Sequence, residues 1–297
     1  MKSNSKSNTP LSAIGLGYAA LLVFCWAAYN VAAKDGMDGA FRAQDISTLR
    51  FGVAGALLMP LAVTRYSRFW NGIGVWRILV LAGLSGPIFG ILVVGGFAYA
   101  PLSHGMLFAP SAAMAVGTAL SIVFDGHRVS GQRIVGMLTM LAGLFLLVGF
   151  EFETAGPKLL LGEAMFLAGG SMWGTFSFLL GRWKLDALAT TCVVGTMSGA
   201  LSIPIYLLTW GGSLPPVAPS EIAFQAFMQG IVGGGVAVFA MVKSTEHLGV
   251  AQVALLPIFS PAVAMVLSAV FVGTVPSMGE IAGALIVTLG LAIALRG

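Results

Sequence analysis

Ten times along its length the chain holds an apolar run of about 20 residues, the length a helix needs to cross a bilayer. The runs are 12–33, 42–64, 74–98, 102–123, 130–149, 159–182, 187–210, 221–242, 250–272 and 278–296. They take up most of the 297 residues, and the short connections leave no room for a separate soluble domain. Charge is scarce to match: 9% of residues are charged, where an ordinary soluble domain carries about a quarter. Mean hydropathy is +0.95. Lipid is therefore the main solvent, and the expected fold is an all-α polytopic membrane protein of ten transmembrane helices.

The first run is longer than a signal-peptide core and has a counterpart later in the chain, so it reads as a retained helix. Cys25 and Cys192 both lie inside apolar runs and read as packing residues, with no metal spacing. The net charge of +4 is scattered, which argues against a nucleic-acid partner. Orientation follows the basic residues. A cytoplasmic N-terminus puts Lys2, Lys6, Arg65, Arg68, Arg77, Arg128, Arg133, Arg182, Lys184, Lys243 and Arg296 inside, and Lys34, Arg42 and Lys158 outside. Most acidic residues then fall outside, and both termini are cytoplasmic.

One half of the chain repeats the other. Sliding 105–148 onto 252–295 without gaps aligns Pro110 with Pro257, Phe124 with Phe271, Gly126 with Gly273, Ser130 with Ser277, Gly136 with Gly283 and Gly143 with Gly290. The same offset aligns Trp26 with Trp173, and a three-residue shift aligns GALLMP at 55–60 with GALSIP at 199–204. Shared Pro and Gly spacing carries weight because those residues have backbone roles. The expected halves are 1–150 and 156–297, five helices each. Five is odd, so the second half inserts inverted relative to the first, the arrangement that underlies alternating access. Proline removes a helical hydrogen bond and clashes with the preceding turn. Pro110 and Pro257 are thus expected hinges, one per half, with Pro261 a second break.

These features resemble the EamA type of the drug/metabolite transporter superfamily: two five-helix halves, the W-x-x-x-(N/S) pattern in helices 1 and 6, Pro in helices 4 and 9, and F-x-G-x-x-x-S before a Gly-spaced final helix. In detail the chain looks most like the YddG-type amino-acid exporters of bacterial inner membranes. The resemblance implies a ten-helix basket around a central cavity, exporting amino acids, aromatic ones included, and related metabolites. The family turn usually carries an acidic residue in G-E-x-(L/P). Here the copies read FDGHRVS and FVGTVPS, without it in that place.

No HExxH, P-loop or nucleophile elbow is present, and His104, His127 and His247 are scattered at predicted helix ends, so an enzyme and a cofactor are not expected. A substrate site is expected near the midplane, at the repeat interface. Trp26 and Trp173 lie too deep for an interfacial belt. Tyr29, Asn30, Ser171, Thr175 and Ser177 make a polar stripe beside them. Tyr99 and His104 flank the turn between helices 3 and 4, and Ser260 lies between two prolines. Two ionisable groups fall within spans. Glu163 is a candidate to carry a coupling proton or meet a substrate amine, unless it snorkels to water. Arg50 is a candidate carboxylate contact, unless it pairs with Asp45. Few charges and several aromatics suit small zwitterions better than phosphates. The expected function is amino-acid export across a bacterial inner membrane, by a chain able to act as a monomer. Efflux of cationic or lipophilic drugs is the alternative, and a passive channel the reading from another class.

Overall fold

The computed structural model describes residues 13–126, 128–213, 215–253 and 256–296; side chains at 147–155, 250, 251 and 296 lie outside that description, as does all of His127. Every regular element among the described residues is helical. In chain order they are α1 (Ala13–Asp38), α2 (Ala43–Thr64), α3 (Ser67–Ile73), α4 (Val75–Ser85), α5 (Pro87–Gly96), α6 (Leu102–Asp125), α7 (Gly131–Ala155), α8 (Pro157–Arg182), α9 (Ala187–Trp210) and α10 (Pro219–Gln225). A π-helical stretch, Ala226–Val236, leads into α11 (Ala237–Leu248) and α12 (Val250–Val253). A 3₁₀ turn, Leu256–Phe259, precedes α13 (Ser260–Phe271) and α14 (Met278–Arg296). Eight stretches are long and apolar enough to span a bilayer, α4–α5 and 219–248 each counting as one, and 131–146 and 256–271 are shorter apolar helices. The chain is a multi-pass membrane protein.

Packing follows the repeat. The most extensive helix pairs are α7 with α14, α2 with α9, and α6 with α8. Exchanging the halves turns the α6–α8 pair into α1–α13, and α5–α8 into α1–α11, and both counterparts are present. Glycines of the repeat take part in the close approaches, since in lipid small residues let helix backbones meet. A Cβ on Gly136 would sit 2.6 Å from the Gly290 carbonyl oxygen, and one on Gly55 would sit 2.8 Å from Gly199 Cα.

The helices depart from the ten plain rods expected of the sequence in four places. The third span breaks at Gly86, where a Cβ would lie 2.2 Å from the Ala82 carbonyl, and Pro87 then opens α5. The Ser47 hydroxyl donates to the Pro87 carbonyl at 3.1 Å. The eighth span widens into the π-helix, whose Gly230 and Gly234 face Val53 and Ala54 of α2 at distances that admit no side chain. The ninth span is broken around Pro257, whereas α6 runs unbroken through Pro110. Finally, α3 is a short helix in a connection where the apolar windows predict none.

Candidate functional site

Arg50 lies seven residues on from Ala43, roughly 10 Å along the axis of α2. Its guanidinium stands 4.5 Å above the Tyr29 ring of α1, with Nη2 3.4 Å from Tyr29 Oη, and 5.7 Å from the Phe51 ring. Among the described residues no carboxylate pairs with it. The expected Asp45 partner is engaged elsewhere. Asp45 is buried and accepts from Arg42 at 2.8 Å and from the Tyr206 hydroxyl at 2.6 Å. The short i,i+3 reach to Arg42 wins because Asp45 opens α2 as its first-turn carboxylate, while Arg50 points at α1.

Tyr29 is held from behind. Gln229 of the π-helix is fully buried and donates through Nε2 to the Tyr29 carbonyl at 2.8 Å. Gln225, one turn earlier, donates likewise to the Ala32 carbonyl at 2.7 Å. The Tyr29 ring packs on Gly233, where a Cβ would fall 3.1 Å from it. An aromatic line then leads away from Arg50. Phe51 lies against Gly90 of α5, at 2.6 Å from where a Cβ would be. Beside Gly90, Phe89 meets Trp173 of α8 at 5.5 Å, and Trp173 stacks on Phe176 at 5.1 Å. Trp173 keeps 44% of its surface exposed.

Tyr29 and Arg50 thus meet, Trp173 lies on the other neighbour of α5, and the remaining sequence candidates join neither group. Trp26 packs instead with Leu22, Cys25, Ala237, Ala240 and Val253. Asn30 turns its amide along its own helix, Nδ2 donating to the Trp26 carbonyl at 2.8 Å. Ser171, Thr175 and Ser177 donate to the carbonyls of Leu167, Ser171 and Trp173, at 2.7, 2.9 and 2.9 Å. This is the usual fate of a hydroxyl in lipid, where the helix's own carbonyl is the nearest acceptor. Ser260 opens α13 next to Pro261, buried, with no hydrogen-bond partner for its hydroxyl.

Tyr99 belongs instead to an open cavity of about 450 Å³, lined also by Lys34, Ser103, Thr274 and Glu280. Its charges are already engaged. Lys34 bonds Asp38 and the Phe97 carbonyl, and Glu280 accepts from the Ser103 hydroxyl and the Ser277 amide. Glu163 does not reach out to water: it and His104 are buried and bonded to each other. The sequence reading missed Phe51, Phe89 and Gln229; only Gln229, one of two amides in the apolar run 221–242, stands out in the sequence.

Chemically, an unpaired guanidinium over an aromatic ring inside a span offers a carboxylate two parallel N–H bonds, and the exposed indole face beyond it offers an apolar or aromatic group a place to stack. Among the described residues no three His, Cys, Asp or Glu side chains converge on a metal position.

The family model for EamA-like transporters matches the chain twice, over residues 13–149 and 160–296. The chain belongs to the EamA-like transporter family. Its two matches coincide with the two halves that exchange in the packing. A solved crystal structure shares the fold of this EamA-like chain with a TM-score of 0.63 at 19% identity, covering 94% of this chain and 96% of its own. No curated protein matches the sequence. Membership makes this EamA-like protein a membrane transporter of small substrates and not an enzyme.

Proposed function

We propose that this EamA-like protein exports amino acids, aromatic ones included, across a bacterial inner membrane by alternating access, as ten spans in two inverted halves with both termini cytoplasmic. The observation that carries the reading is Arg50, a cation inside a span without a carboxylate partner among the described residues, seated on Tyr29. A charge there costs at least about 2.5 kcal/mol, so the fold retains it for use. Its complement is a substrate carboxylate, while the line from Phe51 to Trp173 receives the side chain. A cationic drug would meet repulsion at Arg50, which disfavours that alternative. Alternating access is supported by the two copies of one proline motif in two shapes, continuous at Pro110 and broken at Pro257. Pro110 and Pro257 are then the hinges.

Counterflow of radiolabelled amino acids into proteoliposomes tests this. A bidentate charge-assisted contact is worth about 1.5–3 kcal/mol, so Arg50→Gln should raise the half-saturation concentration for amino acids roughly 10- to 100-fold. Competition by the matching amino-acid amides, which lack the carboxylate, should hardly change. Equal weakening of acids and amides would refute the carboxylate contact. Entry that never saturates would favour a pore.

A further inference from the structure

His104, in the first turn of α6, and Glu163, in the second turn of α8, join the two halves of the chain. They are 0% and 4% exposed, and His104 Nδ1 is bonded to Glu163 Oε1. Their surroundings are apolar: His104 stacks on Phe108 at 5.9 Å, and a Cβ on neighbouring Gly105 would lie 2.4 Å from the ring of Phe97 and 2.9 Å from that of Phe166. His104 Nε2 and Glu163 Oε2 are both buried without a hydrogen-bond partner.

Among the described residues every other charge nearby is engaged or far away. On α14, Glu280 is held by Ser103 and Ser277. On α1, Lys34 is held by Asp38 and the Phe97 carbonyl. Tyr99, in the turn before α6, opens to the cavity, and Lys158 of α8 is exposed. Helices α5 and α13 contain no ionisable residue. Arg77 of α4 lies against Trp183 at the far end of α8, and Arg133 begins α7 at the far end of α6. Glu151 and Glu153 of α7 are among the side chains outside the description. No described cation therefore neutralises the pair.

Proton counting then sets its behaviour. With one proton shared between Nδ1 and Oε1 the pair is neutral overall, whether written as imidazolium with carboxylate or imidazole with carboxylic acid. Without that proton it is a bare negative charge in a site closed to water, at a cost of several kcal/mol. At the 147-residue offset the sequence carries Leu16 and Ala251 in these places, so the other copy of the repeat has no such pair.

We propose that His104 and Glu163 form a one-proton site that fastens α6 to α8, so that these helices part as the proton leaves to water, and transport is thereby coupled to a pH gradient. The inference rests on the transport reading above. One proton per substrate converts a one-unit pH difference into about tenfold accumulation of a zwitterion.

The test uses the full-length protein in proteoliposomes with an imposed pH difference, followed by radiolabelled amino-acid accumulation and a trapped pH dye. Wild type should accumulate substrate with matching proton movement. Glu163→Gln, which mimics the loaded neutral site, should keep counterflow exchange but lose gradient-driven accumulation and the dye signal; His104→Gln should lose accumulation too. Saturable counterflow without gradient-driven accumulation in the wild type, or accumulation that survives Glu163→Gln, overturns the coupling and leaves the transport reading intact. Should no amino acid show counterflow, the transport reading fails, and infrared difference spectra across a pH step judge the site itself. A proton-binding signal in wild type that vanishes in both variants upholds a proton site, and its absence from wild type overturns it.

Discussion

Replacing Gly55 with alanine should loosen the seam between the halves by a predictable amount. The new Cβ would fall 2.8 Å from Gly199 Cα and 3.0 Å from the Gly195 carbonyl oxygen, where ordinary contact begins near 3.4 Å. Both obstacles are backbone, so no rotamer change relieves the overlap. The helices must separate by about 0.5–1 Å, and overpacking of this kind costs about 1–3 kcal/mol. Gly199→Ala presses on the same seam, its Cβ lying 2.9 Å from Gly55 Cα and 2.7 Å from the Phe51 carbonyl oxygen. Once α2 and α9 have moved apart for the first methyl, the second finds part of its room made. The double variant should therefore lose at least about 0.5 kcal/mol less than the sum of the two. Unfolding by denaturing detergent in mixed micelles measures all three variants. Because α2 carries Arg50 and Phe51, counterflow should fall in parallel. Wild-type stability in Gly55→Ala, or strict additivity of the pair, would refute the close crossing.

Trp173→Ala should impair transport of aromatic amino acids while leaving the unfolding transition in place, because the ring is 44% exposed and packs mainly on Phe89 and Phe176; wild-type counterflow with every substrate would remove Trp173 from the site. Pro257→Ala should lower the maximal counterflow rate more than it raises the half-saturation concentration, since it lets the broken ninth span close into a continuous helix; the reverse pattern would speak against a hinge. Arg42→Ala leaves buried Asp45 with Tyr206 but no cation, and should cost about 3 kcal/mol or more of unfolding free energy. An Arg42→Ala, Asp45→Asn double variant should recover part of that loss.

The apolar windows foresaw the helices closely because the bilayer itself dictates their length. Where α1 overruns the expected end at 33, it continues to Asp38 on the strength of tertiary bonds, with Lys34 tied to the Phe97 carbonyl. The repeat was legible through its Pro and Gly residues, and four of those glycines, Gly55, Gly199, Gly136 and Gly290, proved to lie at close helix crossings. Arg50 was legible because a charge in an apolar run has few explanations. Its partner was not: Tyr29 was readable as a stripe residue, yet nothing local says that α1 lies under Arg50 instead of Asp45. The break at Gly86 and the π-helix at 226–236 depend on Ser198, Val53 and Ala54 from other helices. The bond between His104 and Glu163 joins residues 59 apart in sequence and in different halves, beyond the reach of any spacing rule.

The meeting of Gly55 with Gly199 has one more consequence. In a two-fold dimer an isologous contact brings the same patch of two subunits face to face, and these glycines do that within a single chain. Positions on such an axis constrain each other, because a bulkier residue in either copy strikes the other. Positions off the axis carry no such bond, and there the copies have diverged: Arg50 stands where the register of the paired glycines puts Val194. A frame that must stay alike down its middle can thus hold unlike chemistry on its two flanks, a cation on one and an apolar side chain on the other.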